Sequence, residues 1–563
     1  MLKLVSLKKE QLQNRIDAAQ GRIPCDLVIR NVRFLDVFHC EWKTGDIAVA
    51  DGTIVGIDSG LRGTREIDGS GKWLVPGFID AHVHVESSMM VPDQFQRAVL
   101  SKGTTSAVCD PHELANVVGL EGIEYFLEAA EQLSLDLFVM LSSCVPATHL
   151  ETNGGGTIGG SELATLLFKP RAIGLAEVMN VPGVLNKDPE VLNKLSAFSF
   201  GPMDGHCPLL SGQALSAYIS TGISSCHETS RLEEAREKLT KGMSVWIREG
   251  SVAKDLRTLA PALTLATSTS IGFCTDDRNP LDIGHEGHID HLVRSAIALG
   301  VPETVAYRSA SWSVARHYGL LRRGGIAPGH IADMILLDDA RTCAISTVFK
   351  GGVDVRELAF RKVTAAQITN TVKAAVPEEA DLRAPEGRVH VIRVEAGKII
   401  TGRAIMNHDD PGVLRLSVLE RYGHGSRPAN AWVTGFGAGM RGAIASSVGH
   451  DSHNLIVVGD TTADMRQALS AVISMGGGFA VVRDGAVTAS VALPFGGLMC
   501  ELAPSALARE LENLRAASRA IGCELPEPFL QLAFLSLPVI PELKLTDKGL
   551  VDVNEFRVID VRV

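Results

Sequence analysis

The sequence predicts an α/β protein built around a metal-dependent (β/α)8 TIM barrel, with a small discontinuous β-sandwich domain and an additional C-terminal α+β domain. Three observations carry this. From Pro76 to about Tyr318, apolar strand-like runs alternate with helix-like segments, the order of a parallel βα barrel. The first such run, from Leu74, ends in His82-Val83-His84; residues two apart on a strand share a face, so both imidazoles can reach one ion while Val83 packs away. After the barrel, Gly324 to Asp338 reads as turn then strand, as expected if the chain returns to finish a β unit begun earlier.

Taken in order, residues 1–20 place Leu, Lys, Glu and Gln at helical spacing and predict a short peripheral amphipathic helix. From Asp26, short alternating segments follow, with Asp46 to Val49 and Thr53 to Ile57 joined across Asp51-Gly52 as a hairpin. Residues 1–75 are therefore the first part of the small β domain, and 76–320 the barrel. The eight predicted barrel strands end at Glu86, Asp110, Ser142, Glu177, His206, His227, Arg248 and Asp276. Chemistry in such barrels collects at the C-terminal ends of strands. Residues 321–375 return to the β domain, a Pro- and Glu-rich linker follows to about Arg388, and 389–563 form the last domain. There, Leu455 to Val458 and Phe479 to Arg483 read as strands, and Thr461 to Met475 and Ala503 to Ile521 as helices.

A chain of 563 residues is too long for one core. Its 54 Lys plus Arg against 65 Asp plus Glu, a net charge of −11, argues against a nucleic-acid partner. No apolar run of about 18 residues marks a membrane span, and the start does not read as a signal peptide. Ten cysteines without a Cys-x-x-Cys pair point to free thiols in the cytoplasm. Five of them, Cys109, Cys144, Cys207, Cys226 and Cys274, fall at strand ends or beside a candidate ligand, mostly as small buried hydrophobes.

The strand ends supply His82, His84, Glu177, His206, His227 and Asp276, an inventory for two divalent ions. Two ions about 3.5–4 Å apart need a bridging anion. Glu177, in the middle of the ligand order, fills that role, with His82, His84 and Asp276 on one ion and His206 and His227 on the other. Metal binding lowers the pKa of water from about 15.7 toward about 7, so a bridging hydroxide is available as nucleophile. Asp276, preferred over its neighbour Asp277, is placed to shuttle the proton from that water to a leaving group.

Pro-Gly-Phe-Ile-Asp-x-His-x-His followed by this Glu, His, His and Asp series resembles the amidohydrolase superfamily, as does the barrel exit Gly-x-Ile-Ala-Pro-Gly-x-x-Ala-Asp from Gly324 to Asp333. More narrowly, His82 to Met89, Asp110 to Val117, Ala176 to Asn180, Asp204 to Pro208 and His450 to Asn454 resemble the microbial adenine deaminases over essentially the whole chain. The resemblance implies hydrolysis of adenine to hypoxanthine and ammonia, with Glu177 in place of the carboxylated lysine of many relatives. It also implies Mn(II) or Fe(II), although ligand type alone accepts Zn(II). Attack at C6 requires an acid near N1 of the purine. The sequence offers Glu86, which continues the His82 and His84 face, together with His112, Glu113, Glu228 and Asp277. His450 and His453 are read as part of a lid that the last domain folds over the barrel mouth. A cyclic-amide hydrolase of dihydropyrimidinase type, another purine-directed amidohydrolase and an inactive scaffold stay open as alternatives, and a homo-oligomer is expected.

Overall fold

The computed structural model describes residues 8–425 and 427–563. The expected N-terminal helix runs Lys9–Ala19, and residues 1–7 of that expectation lie outside the described residues. It sets Ala18 against Cys25, Val28, Ala48 and Ala50 of the adjoining sheet.

Strands Cys25–Asp36, Glu41–Ala50, Thr53–Gly56, Gly63–Asp68 and Trp73–Pro76 join Met334–Asp339, Ala344–Lys350 and Val353–Asp354, which come after the barrel. Met334–Asp339 lies antiparallel to Trp73–Pro76, with Ile335 opposite Val75, so the returning chain does complete the sheet. These strands are hydrogen-bonded as one branched sheet. The cause is the length of Cys25–Asp36: its first half pairs with Gly63–Asp68 and its second with Trp73–Pro76. A bulge between Ile29 and Val32 separates the halves, and Asn31 takes the left-handed conformation there, which its short polar side chain tolerates.

The eight parallel barrel strands are Phe78–Val83, Thr104–Cys109, Asp136–Leu141, Ala172–Val178, Met203–Gly205, Ser225–Cys226, Ser244–Arg248 and Ile271–Cys274, paired in chain order. First and last meet through a bridge between Val83 and Asp276, where the Asp276 N–H donates to His82 C=O at 3.0 Å and the His84 N–H to Asp276 C=O at 3.3 Å. Ile79, Ala81, Val108, Phe138, Met140, Ile173, Trp246 and Cys274 fill the interior against Val314 and Tyr318 of the closing helical segment. A register shift between Asp80 and Val83 changes the alternation of the first strand, so Ala81 belongs to this interior cluster while Val83 packs in the outer core.

The C-terminal sheet has eight strands, in the order Gly402–Asn407, Arg388–Arg393, Ala429–Thr434, Val413–Leu419, Leu455–Gly459, Ala443–Ser446, Gly478–Arg483 and Ala486–Ala492. Period-two alternation divides its faces. Ala443, Ala445, Leu455 and Val457 meet Ala468, Leu469 and Val472 of helix Thr462–Ser474. Ile444, Ile456, Val458 and Val481 join the cluster that is continuous with the outer barrel core. That apolar continuity sets the C-terminal part across the barrel mouth.

Candidate metal and substrate site

The six predicted strand-end ligands converge. Glu177 Oε1 lies 3.6 Å from His82 Nε2, 3.3 Å from His84 Nε2 and 3.4 Å from His112 Nδ1. Its other oxygen, Oε2, lies 2.6 Å from His206 Nδ1 and 3.3 Å from His227 Nε2. Asp276 Oδ1 faces the first pair, 3.1 Å from His84 Nε2 and 3.6 Å from His82 Nε2. His82 and His84 turn their Nε2 atoms to within 3.2 Å of each other. Three buried imidazoles, the half-buried His206 and two buried carboxylates enclosing a common space, with ring nitrogens face to face, form a donor set that fits divalent cations of the Mn, Fe and Zn type. His84 is oriented from behind, its Nδ1 lying 2.9 Å from the Asp110 carbonyl.

Asp276 sits just past its strand in the left-handed region at φ 54°, a conformation Asp adopts more readily than most residues and one often found at functional sites. Its Oδ2 accepts from Arg248 Nη1 at 2.7 Å. Arg248 also grips Glu228 through both terminal nitrogens and approaches Asp255 at 3.5 Å. Burial opposes charge on Glu228, but the Arg248 guanidinium outweighs it and holds the carboxyl below its ordinary value. Arg248 was legible as a strand end. Its partnership with both carboxylates was not, since it depends on residues 20 and 28 positions away.

A cavity opens over these groups. The barrel contributes Met179, Gly250, Val252, Glu228, Asp277, His112 and Glu113, and the C-terminal part adds Ile399, His450, Asp451, Leu530, Phe534, Leu537 and Ile540. The apolar members of this roof carry no local signal in the sequence. His450 Nδ1 and His453 Nε2 each meet one oxygen of Glu113, so an acidic residue after the second strand is clasped from the other end of the chain. Burial opposes charge on Glu113, yet the two imidazoles hold its carboxyl well below the usual range. His112 Nδ1 lies 3.0 Å from Asp110 Oδ2, and the His450 ring stacks on Phe534 at 4.7 Å. Asp277 Oδ1 accepts from Ser87 Oγ at 2.5 Å.

Glu86 departs from the expected strand face. The strand ends at Val83 and the chain turns into a 3-10 segment, Val85–Ser88, so Glu86 accepts from the Leu114 N–H at 3.1 Å and borders a neighbouring cavity. Burial pushes its carboxyl up to about 7. His453 lies behind Glu113, buried.

Residues 73–355 match the amidohydrolase family and residues 391–557 the adenine deaminase C-terminal domain. The barrel with its ring of donors is thus that of an amidohydrolase, a family that carries divalent metal. The chain is 49% identical to an adenine deaminase of Methylobacterium nodulans, over 98% of its own length and 99% of that protein. It is 50% identical to one from a second Methylobacterium strain and 48% to one from Sinorhizobium fredii, in both cases over 98% of this chain and 100% of the relative. The chain belongs to the adenine deaminase family. No described helix is long and apolar enough to cross a membrane.

Proposed function

We propose that this chain hydrolyses adenine to hypoxanthine and ammonia at a site holding two divalent cations, Mn(II) or Fe(II), with Zn(II) accepted by the same donors. His82, His84 and Asp276 would hold one cation, His206 and His227 the other, and Glu177 would span both. The observation that carries this reading is the division of Glu177, whose Oε1 serves the first pair of imidazoles and Oε2 the second. When bound, such a pair of cations lowers the pKa of water enough to supply a nucleophile at neutral pH.

The chain's own groups do the rest. Arg248 occupies Asp276 Oδ2 and leaves Oδ1 facing the reaction space, so the carboxylate is oriented to take a proton from the attacking water and return it to the departing amine. Protonation at N1 is assigned to the His112, Glu113 and His450 network, which lines the same cavity. Glu113 and Asp277 hold His450 at about 9 despite its burial, so it carries a proton at neutral pH. Asp277 and Glu228 present carboxylate oxygens to the purine edge, and His453 fixes Glu113. Phe534, Leu537 and Ile540 lie over the ring and exclude bulk water.

Ten buried free thiols support a cytoplasmic location, the reaction is one of purine salvage, and the working form is a homo-oligomer. Ammonia release from adenine, set beside ring opening of hydantoin and dihydrouracil, tests the reading. Adenine turnover alone supports it, and ring opening without adenine turnover replaces it with a cyclic-amide hydrolase.

A further inference from the structure

Directly behind His206 and His227 the chain sets two thiols face to face. Cys207 Sγ lies 3.6 Å from Cys226 Sγ, and both residues are fully buried. The strand register produces the contact: Gly205 lies opposite Cys226 on neighbouring parallel strands, and Cys207 follows two residues later. Lys238 Nζ is fixed beside the pair, 3.3 Å from Cys226 Sγ, by Glu234 at 2.7 Å, Thr229 at 3.0 Å and the Glu228 carbonyl at 2.9 Å.

We propose that Cys207 and Cys226 are a redox modification site: hydrogen peroxide joins them in a reversible disulfide that loosens the cation held by His206 and His227. The cation half of this statement rests on the two-cation reading above.

In the first step one thiol sulfur takes an oxygen from hydrogen peroxide. The O–O bond breaks, a sulfenic acid forms and one water leaves. The second sulfur then attacks the sulfenic sulfur, the S–S bond forms, the S–O bond breaks and a second water leaves. Two thiols and one peroxide become one disulfide and two waters. Peroxide is nearly as small as water, and the cavity over the site reaches His206 and His227, the chain neighbours of Cys207 and Cys226.

Geometry links the bond to the site. A disulfide requires about 2.05 Å between sulfurs, so the 3.6 Å separation must shrink by about 1.5 Å. Each cysteine is the chain neighbour of an imidazole that faces Glu177. Metal–ligand distances keep within about 0.2 Å of their typical values, so a fraction of that contraction passed along the backbone is enough to take a ligand outside that range. Disturbing the support of a ligand weakens metal retention about 10–100-fold.

The test uses the full chain loaded with Mn(II), treated with hydrogen peroxide, then alkylated, digested and weighed, with metal counted before and after. The expected result is a Cys207–Cys226 cross-linked peptide lacking two hydrogens, two fewer alkylated thiols and release of Mn(II), all reversed by dithiothreitol. C207A and C226S should keep their Mn(II) under the same treatment. Unchanged thiols, sulfur recovered as sulfinic acid, or a Cys226–Lys238 peptide that has gained an oxygen would each overturn the proposal. So would Mn(II) loss from C207A equal to that of the unaltered chain. Untreated chain that binds no Mn(II) would remove the two-cation reading and the release with it, while the peptide mass still decides the disulfide.

Discussion

Arg248→Met is the most informative single change. The guanidinium is buried, with Asp276 Oδ2 at 2.7 Å and Glu228 Oε2 at 2.9 Å, and with Asp255 at 3.5 Å. Methionine conserves much of the stem and removes the guanidinium that holds these carboxylates together, leaving the buried Asp276 and the half-buried Glu228 and Asp255 facing one another without it. Removing one member of a buried ion pair costs about 3–5 kcal/mol. For a large barrel at about 2 °C per kcal/mol, Tm should fall by roughly 6–10 °C. Asp276 also loses its fixed orientation, and misplacing a reacting group by about 1 Å costs about 100-fold in kcat. Arg248→Lys keeps the charge without the fork and should fall between the two. Differential scanning calorimetry and ammonia release at saturating adenine read both effects. An Arg248→Met variant within a degree and twofold of the unaltered chain would refute the role given to this residue.

Three further changes probe separate parts of the account. Burial lowers Lys544 from 10.5 to about 7, and its Nζ donates to the Ile399 and Phe534 carbonyls. Between those two pKa values the unfolded chain binds a proton that the folded chain does not, so stability should rise with pH by about 1.4 kcal/mol per unit. Lys544→Met should lose that component, which denaturant melts from pH 7 to 10 will register. Phe534→Ala removes an aromatic wall of the cavity and should raise KM for adenine about tenfold with kcat nearly unchanged; a fall confined to kcat would count against its place in binding. Asp276→Asn keeps one ligating oxygen but cannot accept the proton, so metal should remain while kcat drops by about 100-fold or more; an unaltered pH–rate profile would assign the shuttle elsewhere.

The parts readable from sequence are those set by local pattern. Barrel strands end on one rim, so reading His82, His84, Glu177, His206, His227 and Asp276 as strand endings already places them together. The helix at Thr462–Ser474 and the strands Leu455–Gly459 and Gly478–Arg483 follow directly from periodicity. What escapes the sequence depends on contacts between distant segments or on small backbone departures. Extending the first strand to Glu86 overlooks the 3-10 turn that carries that carboxyl away. His450 and His453 stand out as a polar cluster, but that both clasp Glu113 is a tertiary fact. Leu530, Phe534 and Ile540 look like ordinary core residues until the C-terminal part is laid over the barrel.

Metal counting on Glu177→Gln beside the unaltered chain tests the central claim most directly. The account predicts two divalent ions per chain in the unaltered protein and one or none in Glu177→Gln, because the neutral amide cannot serve both sets of imidazoles as a bridging anion. Full two-ion occupancy in Glu177→Gln, or an unaltered chain that deaminates adenine with a single ion, would contradict it.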